Sequence, residues 1–284
     1  MLIMEEDNRL FLQHGPINIV LEAFGDDKKL AYWNAKKYFE TLLDQLVLDL
    51  ALLKKEVVFN RKFNNKISQS MQDATERFTP SFITPMAAVA GSIADNILRV
   101  VVNGTNLEKA YVNNGGDVSF YLNENQTMKS SLSAIPNMVA EIKYKDKSRG
   151  IATSGWRGKS FSRGIADSVT VLADNAAVAD AAATMIGNSV DIYNHPKIKK
   201  KPANKIYEDS DLNDLLITVQ VGNLTKVEIK EALKNGYQTA LQYVQEDLIN
   251  TALIQLSEFF CIVQKDRNNL NIINKSNLEH VNYY

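Results

Sequence analysis

Three short stretches of this chain gather residue types that handle charged ligands. The first is Asn113-Asn114-Gly115-Gly116-Asp117. Paired glycines let a backbone take positive φ and come close to a ligand, and the amides of such a bend can face an anion. Asp117 could accept from ribose hydroxyls or a ring N–H. The same string is also a strong hairpin-turn signal, so both readings stand. The second stretch covers 150–164 and holds the hydroxyls of Thr153, Ser154, Ser160 and Ser162, four glycines including Gly155, and the cations Arg157, Lys159 and Arg163. That mixture suits phosphate or carboxylate oxygens. A flexible solvated loop accounts for the charges equally well, though less well for the glycines. Gly158-Lys159-Ser160 resembles the end of a P-loop, but Thr153 stands where the motif requires its first glycine, so that reading fails. The third stretch sets Asp180 and Thr184 four apart in a run of alanines, on one face of a helix. A carboxylate and a hydroxyl are hard oxygen ligands, suited to Mg²⁺ completed by water and substrate phosphates. The alternative is an early-turn aspartate favoured by the helix dipole and a threonine bonding back to its own backbone.

Other candidates carry less. His14, His195 and His280 lie far apart, with no second His or Cys at metal-ligand spacing, and no nucleophile elbow is present. His14 beside Gly15-Pro16 is kept as a pocket candidate, with a plain turn as the alternative. The single cysteine, Cys261, sits in an apolar run and reads as a buried, inert thiol. The lysines over 197–201 lack interleaved aromatics and read as a solvated basic loop.

Elements that would position these residues follow from periodicity. A strand is expected over 17–23, and a turn at Gly25-Asp26-Asp27. Over 28–58, Leu30, Trp33, Phe39, Leu42, Leu43, Leu46, Leu50 and Leu53 recur mostly at three and four, which predicts a long amphipathic helix. Thr84-Pro85 opens a second helix to about 102, rich in small residues that admit close approach. Strand segments are expected at 110–112, 118–122, 138–144, 150–153 and 166–172. Asp174 or Asn175 should cap a helix over 176–187, and a last helix is expected over 226–263, with Gly236 as a point of weakness. Strands and long helices mix without regular βαβ alternation, which points to an α+β fold. The expectation is one domain over 1–265, with long helices packed on antiparallel sheet and a frayed tail over 266–284.

In combination, Asn114-Gly115-Gly116-Asp117, Ala152-Thr153-Ser154-Gly155, Ser168-Val169-Thr170-Val171 and Ala179-Asp180-x-x-x-Thr184 occur in an order that resembles the ApbE-like superfamily. Its best-known members are FAD:protein FMN transferases. The finer match, through His14-Gly15-Pro16, 150–156 and Ser162-x-Gly164-Ile165-Ala166-Asp167, is to an uncharacterised branch of that superfamily and spans about 13–265. The resemblance implies a T-fold-type architecture and a flavin or flavin-nucleotide pocket, with FAD or FMN as the cofactor. It carries Mg²⁺ ligation over to Asp180 and Thr184, and nucleotide contact to Gly115, Gly116 and Asp117. Asn114, Thr153, Ser154, Gly155, Arg157, Ser162 and Arg163 complete the expected ligand-binding set.

The chain departs from the transferases in two places. Their His-x-x-Asp-Pro-x-Thr-Gly segment is replaced by 160–167, which has neither histidine nor proline, and their helical Lys-Gly is Ala90-Gly91 here. Two functions are therefore carried forward. One is an Mg²⁺-dependent enzyme acting on a flavin-like or other phosphorylated ligand. The other is a non-catalytic ligand-binding or accessory subunit beside a reductase of hydroxynicotinate-type ring metabolism. Relatives suggest a homodimer by analogy.

Composition narrows the field. A net charge of −1 with interspersed signs argues against nucleic acid as a partner. Residues 1–7 have no basic or long apolar signal region, and apolar stretches are broken by Asp, Lys or Asn short of the ~20 residues of a membrane span. A cytoplasmic setting without a membrane partner is the expectation.

Overall fold

The computed structural model describes residues 1–132, 138–265, 270 and 272–275. In chain order the elements begin with strands β1 (Leu2–Glu6), β2 (Arg9–His14) and β3 (Ile17–Phe24). Helices α1 (Lys28–Leu53), α2 (Lys66–Glu76) and α3 (Val89–Val102) follow, the last entered through a 3-10 turn at Pro85–Ala88. Strands β4 (Lys109–Asn114), β5 (Asp117–Leu122), β6 (Thr127–Ser131), β7 (Val139–Lys143), β8 (Gly150–Ser154) and β9 (Ser168–Ala173) lead to α4 (Ala176–Ser189). The chain continues with β10 (Ile198–Pro202), β11 (Leu216–Val221), α5 (Lys226–Gln245), β12 (Thr251–Leu256), β13 (Phe259–Gln264) and β14 (Ile273–Asn274). This is the expected α+β mixture of helices and antiparallel sheet. The expected tail over 266–284 falls almost wholly outside the described residues, as does His280.

Contacts cluster into two compact units, and the chain crosses between them within β8, β9 and α4. The first comprises Met1–Ser131, Val139–Ala152 and Leu172–Ala181. Its sheet runs β1-β2-β3-β4-β5-β8 with antiparallel pairings throughout, including Ile19↔Asn114, Asn114↔Asp117 and Ser119↔Gly150. Period-two alternation decides which face is covered: Ile17, Ile19, Leu21 and Ala23 of β3 and Ala110 and Val112 of β4 are buried. Phe39 and Leu42 of α1, Ile67 and Met71 of α2, and Ile97 and Val101 of α3 join the same core. The buried stripe of α1 runs through Ala31, Tyr32, Ala35, Phe39, Leu42, Leu46 and Leu53. Leu30 and Trp33, expected on that face, are exposed, because the Tyr32 hydroxyl donates to the Asn8 carbonyl at 2.6 Å and sets the first turn. The helix ends at Leu53, five residues early; Val57 instead donates its amide to the Ile83 carbonyl.

The stretch Pro85–Val102 is long and apolar enough to cross a membrane by length and composition, although Asp95, Asn96 and Arg99 interrupt it. In this unit it is a packed element: half of it is buried, and α3 contacts α1, α2, β4 and β5.

The second unit comprises the described residues of Leu132–Met138, Thr153–Val171 and Ala182–Tyr284. Its strands run β9-β12-β13-β14, with a β12–β13 hairpin and a separate β10–β11 ribbon. The helix expected over 226–263 stops at Gln245. Asp247 and Ser257 take φ of 54° and 56°, and the apolar residues between them and beyond alternate as strands. Gly236 does not break α5; a Cβ there would collide with the Val190 side chain, so the glycine admits close packing. Part of the expected basic loop is strand β10, whose Lys200 ammonium donates to the Arg163 carbonyl at 2.6 Å.

Candidate functional site

In the first unit, chemistry converges on the first turn of α4. Asn175 caps it, accepting from the Val178 amide at 2.9 Å. Asp95 of α3 takes the two preceding amides, from Ala176 at 3.0 Å and Ala177 at 2.8 Å, and accepts the Ser119 hydroxyl at 2.5 Å. Helix N-termini favour such carboxylates. Burial nonetheless holds the Asp95 carboxyl above its usual range, against the opposing pull of Ser119, Ala177, Ala176 and Arg99. Sequence reasoning missed Asp95; its signal is a lone acid inside an otherwise apolar helical run.

One turn into α4, Asp180 accepts from the Gly91 amide at 3.1 Å. Burial first, then the neighbouring Asp117 carboxylate, push the Asp180 carboxyl well above the ordinary carboxylate range; the Gly91 and Ala90 amides oppose the shift and Asp95 adds to it. Two carboxylates that disfavour each other's charge in a partly buried place form a site a cation would relieve. Among the described residues, no group of three or more His, Cys, Asp or Glu side chains is arranged to hold a metal ion. Thr184 lies one turn beyond Asp180 on α4.

The Asn113–Asp117 string forms the two-residue turn of the β4–β5 hairpin, with Gly115 at φ 66° and Gly116 at φ 119°. Only glycine adopts such a pair readily. The Gly116 amide donates to Asn113 Oδ1 at 2.8 Å, which holds the turn. Asn114 is buried and tied to neighbouring backbone: Nδ2 donates to the Ala90 carbonyl at 3.2 Å and Oδ1 accepts from the Asn18 amide at 3.4 Å. Hairpin turn and buried Asn114–Asp117 pair thus coexist in one string.

The remaining expected ligand residues lie in the second unit. Thr153 and Thr170 share a hydroxyl–hydroxyl bond of 2.9 Å. A Cβ on Gly155 would stand 2.9 Å from the Asp167 carbonyl carbon, so the backbones touch there. Asp167 organises the loop: one oxygen takes the Trp156 indole N–H and the Arg157 Nε, both at 3.2 Å, and the other takes the Ser257 amide at 2.7 Å. Arg157 also lies over the Trp156 ring at 4.7 Å. Ser162 is buried and bonded locally to Gly164, and the Arg163 amide donates to Asn188. Of the three cations expected to orient an anion, Arg157 is engaged with Asp167, while Lys159 is exposed and Arg163 half-buried.

An α+β protein with a carboxylate pair beside a glycine-turn hairpin, and a serine- and glycine-rich loop pinned by one aspartate, is the class that fold and site define. The chain belongs to the family described as AbpE bacteria, whose model matches residues 2–268. Among curated relatives, a UPF0280 protein of Methanococcus maripaludis strain C6 is 38% identical over 178 residues, 55% of this chain and 68% of the relative. A UPF0280 protein of Methanothrix thermoacetophila is 38% identical over 111 residues, 38% of this chain. The match spans 46% of the Methanothrix relative and 44% of the one from Methanosarcina acetivorans, so the chain spans just under half the length of these relatives. A solved flavin transferase ApbE from Vibrio cholerae, a mutant form, superimposes with a TM-score of 0.47 at 11% identity, covering 95% of this chain and 98% of that one.

Proposed function

We propose that this protein binds a flavin nucleotide, FAD or FMN, through Mg²⁺ held at Asp180 with Thr184, beside Asp117. The observation that carries the reading is the Asp117–Asp180 pair, whose mutual repulsion a divalent cation would remove. Mg²⁺ typically takes one or two carboxylates and completes its shell with water and phosphate oxygens, which fits a site without a third acidic ligand. When bound, the ion would neutralise phosphate charge. The chain's own contribution is positioning: the Gly91 amide orients the Asp180 carboxylate, and the Gly115-Gly116 bend leaves its backbone open to a close-lying ligand. Within the second unit taken by itself, Thr153, Ser154, Gly155, Arg157, Ser162 and Arg163 are the residues proposed to bind the same class of ligand.

One feature favours holding the ligand without transferring it, the accessory role beside a hydroxynicotinate-type reductase. Asp167, the acid of the segment that replaces the transferases' histidine stretch, is fully committed to Trp156, Arg157 and Ser257. A homodimer is part of the proposal, by analogy with relatives.

Thermal shift with FAD and FMN, with and without Mg²⁺, tests the reading. A ligand at ~100 times its dissociation constant adds about 2.7 kcal/mol. The expected result is an Mg²⁺-dependent rise in wild type that vanishes in Asp180→Ala. No rise with either flavin would sink it, and chromatography of the recovered flavin separates binding from turnover.

A further inference from the structure

The first unit also contains a cavity of about 770 Å³; its lining includes Asp95, Ser119, Asn175 and Ala177 at the start of α4, but none of the residues proposed above to hold Mg²⁺ or flavin. Four cations line it: Lys66 and Arg77 from the two ends of α2, Arg99 from α3, and Arg149 just before β8. Among the described residues, none of the four is ion-paired to a carboxylate. Arg149 spends its guanidinium on the carbonyls of Tyr144, Asp146 and Ser148, each at 2.6 Å, which fixes its place and leaves its charge uncompensated. Arg99 bonds to the neutral amide of Asn96.

Two carboxylates share the lining, and both are occupied. Asp73 accepts from Gln69 at 2.6 Å, and Asp95 is consumed by the start of α4 and by Ser119. Four cations against two carboxylates leave the lining with a net positive charge, in a chain whose net charge is −1. Apolar surface from Leu98 and Val102 and the half-buried ring of Tyr121 complete the walls. Cavities of several hundred cubic ångströms with an apolar body and a few convergent polar groups are typical of small-ligand sites.

We propose that this cavity is a second, Mg²⁺-independent site for a nucleotide-sized phosphate ester, of the nucleoside diphosphate class. The guanidinium groups of Arg77 and Arg99 engage the phosphates, where planar donors match the oxygens; Arg149, held by three carbonyls, adds its charge, and the Tyr121 and Val102 side faces the ligand's uncharged body. The cations come from α2, α3 and the β7–β8 connection, so a bound anion links these elements.

Calorimetric titration of ADP into the full chain without Mg²⁺ tests this, using Asp180→Ala as host so that the flavin site is disabled and the two readings fail separately. ADP should bind in that background, more weakly as salt rises. Adding Arg77→Gln and Arg99→Gln should weaken it at least tenfold, while Arg77→Lys with Arg99→Lys should fall between the two, keeping the charge without the planar fork. Both arginines are exposed, and an unchanged melting temperature verifies the fold. No binding at millimolar ADP, or equal binding with and without the two arginines, overturns the site. Inorganic pyrophosphate binding as tightly as ADP overturns the nucleotide-sized assignment.

Discussion

A Cβ placed on Gly91 would lie 2.5 Å from the Ala176 carbonyl carbon and 2.7 Å from the Ala177 amide nitrogen. Helices α3 and α4 therefore meet backbone to backbone where Asp180 receives its hydrogen bond from Gly91. No side-chain rotation can relieve a clash against backbone. Gly91→Ala should destabilise the protein by about 1–3 kcal/mol, the usual cost of overpacking, with denaturant midpoint as the readout. An unchanged midpoint would mean that α3 slides freely, and that Gly91 does not fix the Asp180 carboxylate.

Asp95 offers a second test of the same junction. It satisfies the Ala176 and Ala177 amides that the helix leaves unpaired. Replacing Asp95 with Ala should cost about 1–2 kcal/mol, the range for a lost N-cap. Hydrogen exchange at the first turn of α4 should accelerate with it. Stability loss without faster exchange there would assign the role of Asp95 to Ser119 instead.

Several of these features were legible from residue order, and the reasons are physical. Alternation in β3, small residues in α3, the glycine turn after β4 and the alanine run of α4 each state one period or one turn chemistry without competition. Cys261 is buried, as its apolar neighbours require, and burial pushes its thiol up to about 12. The helix read over 226–263 failed because Leu248 and Leu253 continue a helical spacing by coincidence, while the left-handed Asp247 that ends it has no strong sequence mark. Helix α2 hides because half of its buried face is polar: Ser68, Gln72 and Thr75 are buried beside Ile67 and Met71. The cation-lined cavity could not be read at all, since Lys66, Arg77, Arg99 and Arg149 are brought together only by tertiary packing. Asp117 and Asp180, by contrast, lie in motifs with a recognisable order, although their mutual repulsion is a property of the fold alone.

Acid sensitivity should be localised at the start of α5. Thr225 and Glu228 form a capping box, and His195 bonds Glu228 at 2.9 Å. The Thr225 amide first, then His195, pull the Glu228 carboxyl down to about 2. A carboxyl depressed in the folded state stabilises above its unfolded value, near 4.5, and that contribution is lost as pH falls towards 2. Glu228→Gln should therefore flatten the fall in melting temperature across that interval while lowering stability at neutral pH. An identical pH profile in the variant would show that Glu228 keeps the same environment when unfolded.

The carboxylate pair makes the opposite prediction, in which weakening function strengthens the fold. Asp180 is raised by burial and by Asp117, so its ionised form is disfavoured in the folded state. For such a group, stability is lost as pH rises through the unfolded carboxylate value, and the loss is complete above the folded one. Asp180→Asn removes the charge while its amide oxygen can still accept from Gly91. Without Mg²⁺, this variant should melt higher than wild type at pH 7, by roughly 2–4 °C for each kcal/mol relieved. Adding Mg²⁺ should raise the wild-type melting temperature and leave the variant unmoved, closing the gap between them. If Asp180→Asn melts lower in both conditions, the Asp180 carboxylate is a structural acceptor. The metal reading would then have to move to other residues.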